Sequence, residues 1–256
     1  MAYSLHPPSR RNSTVRKTPD LMLKVSRLLE DQPEIFLSIQ GEGISQGTQS
    51  IFLRLALCNL ACTWCDTKYT WDWDRHDYHK EVMELSNAQV SQRITKYACN
   101  HLVITGGEPL IQKRALEQLV HSLKTKGYSF EIETNGTILP GTALEQNVDQ
   151  WNVSPKLSNS GNGLNLRQIP KALVRFTELP NAYFKFVITA PEDIEEVRTL
   201  TRNYHLPANR IILMPEGTNA EDINERGRWI AQSCIDEGYR FTTRLHILLW
   251  GDNRGM

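Results

Sequence analysis

Two rhythms of apolar and polar positions run through this chain. Short, nearly continuous apolar runs bounded by glycine or polar turns suit buried strands: "PEIFLSIQGEG" and "SIFLRLAL" first, then "HLVIT", "YSFEIET", "QWNVS", "YFKFVIT", "RIILMP" and "YRFTTRLH". Longer stretches between them repeat every three or four residues. "NAQVSQRITKYA" puts Val90, Ile94 and Tyr97 on one helical face with Asn87 as N-cap, and "QKRALEQLVHSLKTKG" does the same with Leu116, Leu119, Val120 and Leu123 before a stop at Gly127. "PEDIEEVRTLTRNY", with Pro191 in its first turn, and "NAEDINERGRWIAQSCIDEG", with Ile223, Ile230 and Cys234 in register and Gly238 beyond, predict two further helices.

Strands that alternate with helices of this length pair in parallel, because each connection must cross back over the sheet. The expected fold class is therefore α/β, and the number of units suits an incomplete TIM-like β/α barrel of about six parallel strands better than a closed eight-stranded one. Residues 21–256 read as a single domain. Residues 1–20, "MAYSLHPPSRRNSTVRKTPD", lack an apolar core for a secretion signal and read as a disordered or extended tail.

Composition narrows the partners. The chain of 256 residues carries 29 basic and 29 acidic side chains, so no overall field attracts nucleic acid or an anionic membrane. No apolar run reaches the roughly 18 to 20 residues that span a bilayer. Five cysteines, an odd number concentrated in one loop, fit reduced thiols and ligand chemistry in the cytoplasm better than disulfides.

That loop is "CNLACTWCDT", in which Cys58, Cys62 and Cys65 follow directly on an apolar strand. Three thiolates converge on one centre yet leave a four-coordinate site incomplete. Two readings stay open on the thiols alone: a zinc site completed by His76, His79 or Cys99, and an iron–sulfur cluster whose fourth iron takes a non-protein ligand. Trp71, Trp73, His76 and His79 follow the loop and read as packing for a crossover, while Cys99 and Cys234 read as small buried residues.

The loop has company. "GGEP" (Gly106 to Pro109) and "ETNGT" (Glu133 to Thr137) each end a later strand, and together with the cysteine triad they resemble the radical S-adenosylmethionine superfamily. The resemblance implies a four-iron four-sulfur (4Fe-4S) cluster on the three cysteines, with S-adenosylmethionine on the open iron. It implies cofactor contacts from Trp64, Cys65, Asp66, Gly106, Gly107, Glu108, Glu133, Asn135 and the turn Ser154, Pro155, Lys156. The two glycines would let the backbone approach the cofactor, and Glu108 would accept from its ammonium group.

Within the superfamily, "SIQGEG", "FLRLALCNLACTWCDT", "ITGGEP", "VSPK" and "LHILLWGDNRG" resemble the 7-carboxy-7-deazaguanine synthases, over all but the N-terminal tail. That resemblance implies ring contraction of 6-carboxy-5,6,7,8-tetrahydropterin with loss of ammonia, in 7-deazapurine and queuosine biosynthesis. It implies a magnesium ion on Thr67, and substrate contacts from Ile39, Gln40, Gly41, Glu42, Arg54, Thr105 and His246. Glu42 and Gln40 suit the pyrimidine edge of a pterin, and the Arg54 guanidinium suits a carboxylate or ring oxygen; a solvated turn for Glu42 and a buried ion pair for Arg54 are the competing readings. An external flavodoxin- or ferredoxin-type electron donor and a homodimer are also implied. Two alternatives remain: another radical enzyme such as a glycyl-radical activase, and a zinc-bearing binding module without turnover.

Overall fold

The computed structural model describes residues 20–256, so the tail at residues 1–20 lies, but for Asp20, outside the described residues. An eleven-stranded sheet organises the chain. Its strands are β1 (Met22–Leu29), β2 (Gln32–Pro33), β3 (Ile35–Ile39), β4 (Gln49–Leu55), β5 (Val82–Ser86), β6 (His101–Gly106), β7 (Ser129–Thr134), β8 (Gln150–Val153), β9 (Ala182–Ile188), β10 (Ile211–Pro215) and β11 (Arg240–Phe241). From β4 through β6, β7, β8, β9 and β10 to β11 every pairing is parallel, whereas β1 and β3 pair with β4 in antiparallel fashion. The sheet is mixed and mostly parallel, as the β-α alternation requires.

The apolar runs are strands because one face packs under helices. Leu53, Leu55, Leu102, Ile104, Phe130, Ile132, Trp151, Val153, Phe184 and Phe186 belong to one buried cluster with Leu116, Leu119, Leu123, Phe176 and Val197 from the helices. The Trp151 and Phe176 rings meet edge to face at 5.5 Å. The intervening residues point to the other face, where Phe36, Phe52 and Val103 form a small apolar patch and most others are polar: the register sets Arg54 beside Thr105 and Glu133 beside Asn152. Polar groups thus line a lumen that the outer apolar face supports.

Residues 40–48, between β3 and β4, cross this lumen. The Leu245 N–H donates to the Gly41 carbonyl at 2.9 Å and the Gly43 N–H to Thr242 Oγ1 at 2.9 Å, so the front of the sheet touches the segment after β11. The lateral mouth expected of an incomplete barrel is bridged by the chain's own loop.

Several local expectations need correction. "YRFTTRLH" forms only the two-residue β11, after which the chain turns into the helix Leu245–Trp250. Asn87 is the first helical residue; Ser86 is the N-cap and forms a reciprocal capping box with Gln89. Pro191 caps the helix Glu192–Tyr204 from outside. The antiparallel β1 and β5 had no sequence reading, nor did the helix Pro170–Glu178. Among the described residues no helix is long and apolar enough to cross a membrane.

Candidate active site

Where β4 ends, the chain enters the cysteine loop through Leu57, whose φ of 77° is left-handed backbone that a leucine adopts only under constraint. The constraint is visible. Leu57 N–H donates to the Thr70 carbonyl at 2.7 Å, and its own carbonyl accepts from Glu108 N–H at 2.7 Å. The loop is fastened further by the segment after β8: Thr63 N–H donates to the Ser160 carbonyl at 3.0 Å, and the Trp64 indole to Asn159 Oδ1 at 3.2 Å. Asn59 bonds both Thr137 and Asn135, at 2.8 and 3.0 Å.

All three loop cysteines line one cavity, together with Trp64, Asp66, Thr67, Gly106, Gly107, Asn135, Ser154 and Lys156. Burial pushes the Cys58 thiol up to about 12, with Glu108, Cys62 and Cys65 acting in the same direction, and burial also raises Cys62. Buried thiols that resist ionisation need a cationic centre to become thiolates, which an iron–sulfur cluster supplies on binding. The donor set fits such a cluster.

The zinc completion does not fit. Cys99 contacts the carbonyls of Gln49 and His101, at the start of β4 and β6, a strand length away from Cys58 at the opposite end. His76 faces Glu81 at 3.9 Å and His79 packs against Tyr78. Neither histidine lines the cavity, and among the described residues no three His, Cys, Asp or Glu side chains gather as they would around a single ion. Of the aromatic stretch, Trp71 alone reaches the cavity wall, and Trp73 packs on Tyr78 at 5.1 Å.

The glycine pair lines the cavity and also has a packing role, while Glu108 stands behind the wall. A Cβ on Gly106 would stand 2.0 Å from the Leu55 carbonyl oxygen, and one on Gly107 2.1 Å from that of Leu57. Their immediate need for glycine is the close approach of two backbones, which lets Gly107 N–H reach the Leu55 carbonyl at 2.9 Å. Glu108 is wholly buried and does not line the cavity. Its carboxylate accepts from Leu110 N–H at 3.0 Å, Thr134 Oγ1 at 2.8 Å and Asn135 N–H at 2.6 Å, so it ties the two motifs together from behind. Pro155 likewise stays out of the wall, while Lys156 reaches Ser154 Oγ at 2.8 Å and lies over the Trp64 ring at 5.7 Å.

Below the cysteines the cavity wall is ionic. Glu42 is paired at one oxygen with Lys185 and at the other with Arg244. Burial alone would raise the Glu42 carboxyl, but Lys185 and Arg244 overcome it and hold the group well below the usual carboxylate range. Arg244 also pairs with Asp66, which it holds ionised against the same burial. Glu42 is therefore no solvated turn residue. Arg54 does form the buried pair: its Nε donates to Glu34 at 2.7 Å, leaving the terminal guanidinium nitrogens without a protein acceptor among the described residues.

Gln40 is 2% exposed, and its amide is spent on the protein, donating to Glu131 at 2.6 Å and Glu133 at 3.3 Å and accepting from Glu42 N–H at 3.2 Å. Thr105 Oγ1 donates to Glu133 at 2.7 Å, and both line the cavity. Ile39 and Gly41 complete this side, and the His246 ring lies where a Gly41 Cβ would be, 2.1 Å from its Nδ1. Desolvation lowers the His246 pKa and keeps the ring neutral. Thr67 keeps its hydroxyl 3.5 Å from Cys65 Sγ while its carbonyl accepts from Thr70.

Lys185 and Arg244 had no sequence reading. Lys185 did leave a signal, as the one charge inside "YFKFVIT"; Arg244 left none, because its segment read as strand.

Known proteins are similar to this chain in sequence and in fold. Residues 55–158 match the sequence family described as the Radical SAM superfamily. The 7-carboxy-7-deazaguanine synthase of Pyrobaculum aerophilum is 40% identical over 223 residues, which cover 87% of this chain and 95% of that protein. That of Rhodopirellula baltica is 32% identical over 236 residues, 87% of each chain. The crystal structure of QueE from Escherichia coli is similar with a TM-score of 0.66 at 28% identity, over 88% of this chain and 95% of that one.

Proposed function

Because the chain belongs to the 7-carboxy-7-deazaguanine synthase family of radical S-adenosylmethionine enzymes, we propose that it converts 6-carboxy-5,6,7,8-tetrahydropterin to 7-carboxy-7-deazaguanine with loss of ammonia, in 7-deazapurine and queuosine biosynthesis. The observation that carries this reading is one cavity shared by three cysteines and by the ionic wall of Glu42, Arg54, Lys185 and Arg244. A flat heterocycle bearing a carboxylate needs fixed hydrogen-bond partners on one edge and a cation at the acid, and this wall offers both.

Cys58, Cys62 and Cys65 would hold the 4Fe-4S cluster. When bound, the cluster and S-adenosylmethionine supply the 5′-deoxyadenosyl radical that abstracts hydrogen from the substrate. The chain's own residues position and shield. Gly106, Gly107, Asn135, Ser154 and Lys156 border the cofactor end of the cavity, with Trp64 and Asp66 on the cysteine side. Glu108 and Pro155 would act from behind, by holding those segments in place.

At the substrate end, the free guanidinium nitrogens of Arg54 would take the carboxylate or a ring oxygen, and Glu42, kept anionic by Lys185 and Arg244, would accept from the pterin N–H groups. Thr105 and Glu133 extend the polar edge, Ile39, Gln40 and Gly41 contribute backbone, and His246 offers a neutral nitrogen. Thr67 would ligate magnesium beside the carboxylate through its hydroxyl, a hard oxygen donor. The partial barrel of about six strands, an external flavodoxin- or ferredoxin-type donor and a homodimer complete the proposal.

The decisive experiment reconstitutes the protein anaerobically with iron and sulfide and supplies S-adenosylmethionine, a reductant and the carboxypterin. The expected result is about four irons per chain, 5′-deoxyadenosine and 7-carboxy-7-deazaguanine. Formation of 5′-deoxyadenosine without the deazapurine would retain the radical enzyme and overturn the substrate; a colourless protein holding one zinc would overturn both.

A further inference from the structure

Two sulfurs of the cysteine loop have an N–H donor from a side chain. Cys62 takes the side-chain amide of Asn162 at 3.3 Å, and Cys65 the indole of Trp71 at 3.3 Å. Trp71 follows Cys65 by six residues, whereas Asn162 reaches in across 100 residues of sequence. Neither Asn162 nor Trp71 is a cysteine ligand, and neither has a part in the substrate wall described above.

Both donors are held in orientation. The Asn162 carbonyl oxygen accepts from Ala61 N–H at 3.0 Å, which turns the amide nitrogen toward Cys62. Trp71 closes the turn after Lys68–Thr70, with its N–H on the Lys68 carbonyl at 3.0 Å, and an indole nitrogen can only donate. Lys156 adds a positive charge on the Cys62 side.

We propose that Trp71 and Asn162 are positioning residues that raise the reduction potential of the iron–sulfur cluster on Cys58, Cys62 and Cys65 through N–H···S hydrogen bonds to Cys65 and Cys62. The inference rests on the radical reading above. A hydrogen bond draws electron density from a thiolate ligand, so it favours the reduced, more negative cluster over the oxidised one. Two such bonds make one-electron reduction by a low-potential donor easier without contacting substrate.

The test uses the full chain, reconstituted anaerobically, with the cluster potential read by an EPR-monitored redox titration. Trp71→Phe keeps an aromatic ring and removes the donor together with the indole's second ring; Asn162→Leu keeps the approximate shape. Each is expected to retain about four irons and to lower the ratio of reduced to oxidised cluster several-fold at a fixed poise. The double variant should lower it about tenfold, which is about 59 mV for one electron. The native protein should also show a shift of its Fe–S stretching bands in D2O that weakens in each variant, a change that a merely structural role would not produce. Unchanged potential and unchanged D2O shift in iron-replete variants would overturn the proposal. If Trp71→Phe loses its iron, Asn162→Leu decides by the same criteria. A native protein that binds no four-iron cluster would instead sink the radical reading, and this inference with it.

Discussion

Arg244 and Asp66, separated by 178 residues, are joined in an ion pair that ties the cysteine loop to the start of the last helix. The same guanidinium holds Glu42, so one side chain braces the cysteine end of the cavity against the crossing of residues 40–48. Arg244→Met would leave two carboxylates with a lost counter-ion in a poorly solvated wall. The expected cost is about 3 kcal/mol or more of stability, with near-complete loss of turnover. Asp66→Asn, which removes only one charge, should cost less in a denaturation series. Equal stability of Arg244→Met and the native chain would contradict the bracing role.

Arg54 offers a sharper separation of binding from folding. Arg54→Lys keeps a cation beside Glu34 but loses the free fork, so turnover of the carboxypterin should fall at least about a hundredfold, of the order of a lost charge-assisted bond. Iron content and the yield of 5′-deoxyadenosine formed without substrate should stay near native. A variant with native KM and kcat would remove Arg54 from the substrate wall.

The glycine pair yields a prediction about backbone packing. Gly106→Ala places a Cβ against the Leu55 carbonyl at a position with φ of 133°, and neighbouring backbone cannot swing aside as a side chain could. The variant should lose at least about 2 kcal/mol and bind less iron. Thermal unfolding with iron analysis checks both. Cys99→Ser, at the far end of the strands, should leave the iron content unchanged.

Glu131 sets a pH dependence. Wholly buried, with Gln40, Ser45 and Asn152 donating to it and His101, Glu133 and Lys185 as its charged or titratable neighbours, its carboxyl is raised by burial from 4.5 to about 7. Between those values the native chain keeps a proton that the unfolded chain has released. This contribution to stability is therefore full at low pH and is lost as pH rises through about 7, a change of roughly 3 kcal/mol. Glu131→Gln should abolish it, so the variant gains on the native protein between pH 5 and pH 8 in urea titrations. Parallel pH profiles would refute the assignment.

How much of this was legible in the sequence depends on the face a residue occupies. The parallel strands announced themselves through apolar side chains under the helices, and the cysteine loop through its spacing. The lumen was harder to read, because Glu131, Asn152 and Lys185 interrupt apolar runs singly and look like breaks in a strand. Their meaning comes from partners that register brings together: Lys185 meets Glu42 across 143 residues and Arg244 meets it across 202. The antiparallel β1 and β5 were missed because they gain their definition from pairing with each other along five positions. Gln40 and Glu108 were assigned to ligands from the motifs that hold them, and only the fold could reveal the protein partners their polar atoms already have.

The loop of residues 40–48 that crosses the lumen also carries a consequence for how the protein is born. Glu42 leaves the ribosome long before either of its cationic partners, and at about 5 to 20 residues per second the 202 residues separating it from Arg244 take on the order of 10 to 40 s. Until Lys185 emerges, 143 residues after it, the carboxylate has no cationic partner, and until Arg244 follows it has only one of the two. The cavity is thus a late product of synthesis, and iron has its finished receptacle only once the Arg244 segment has emerged.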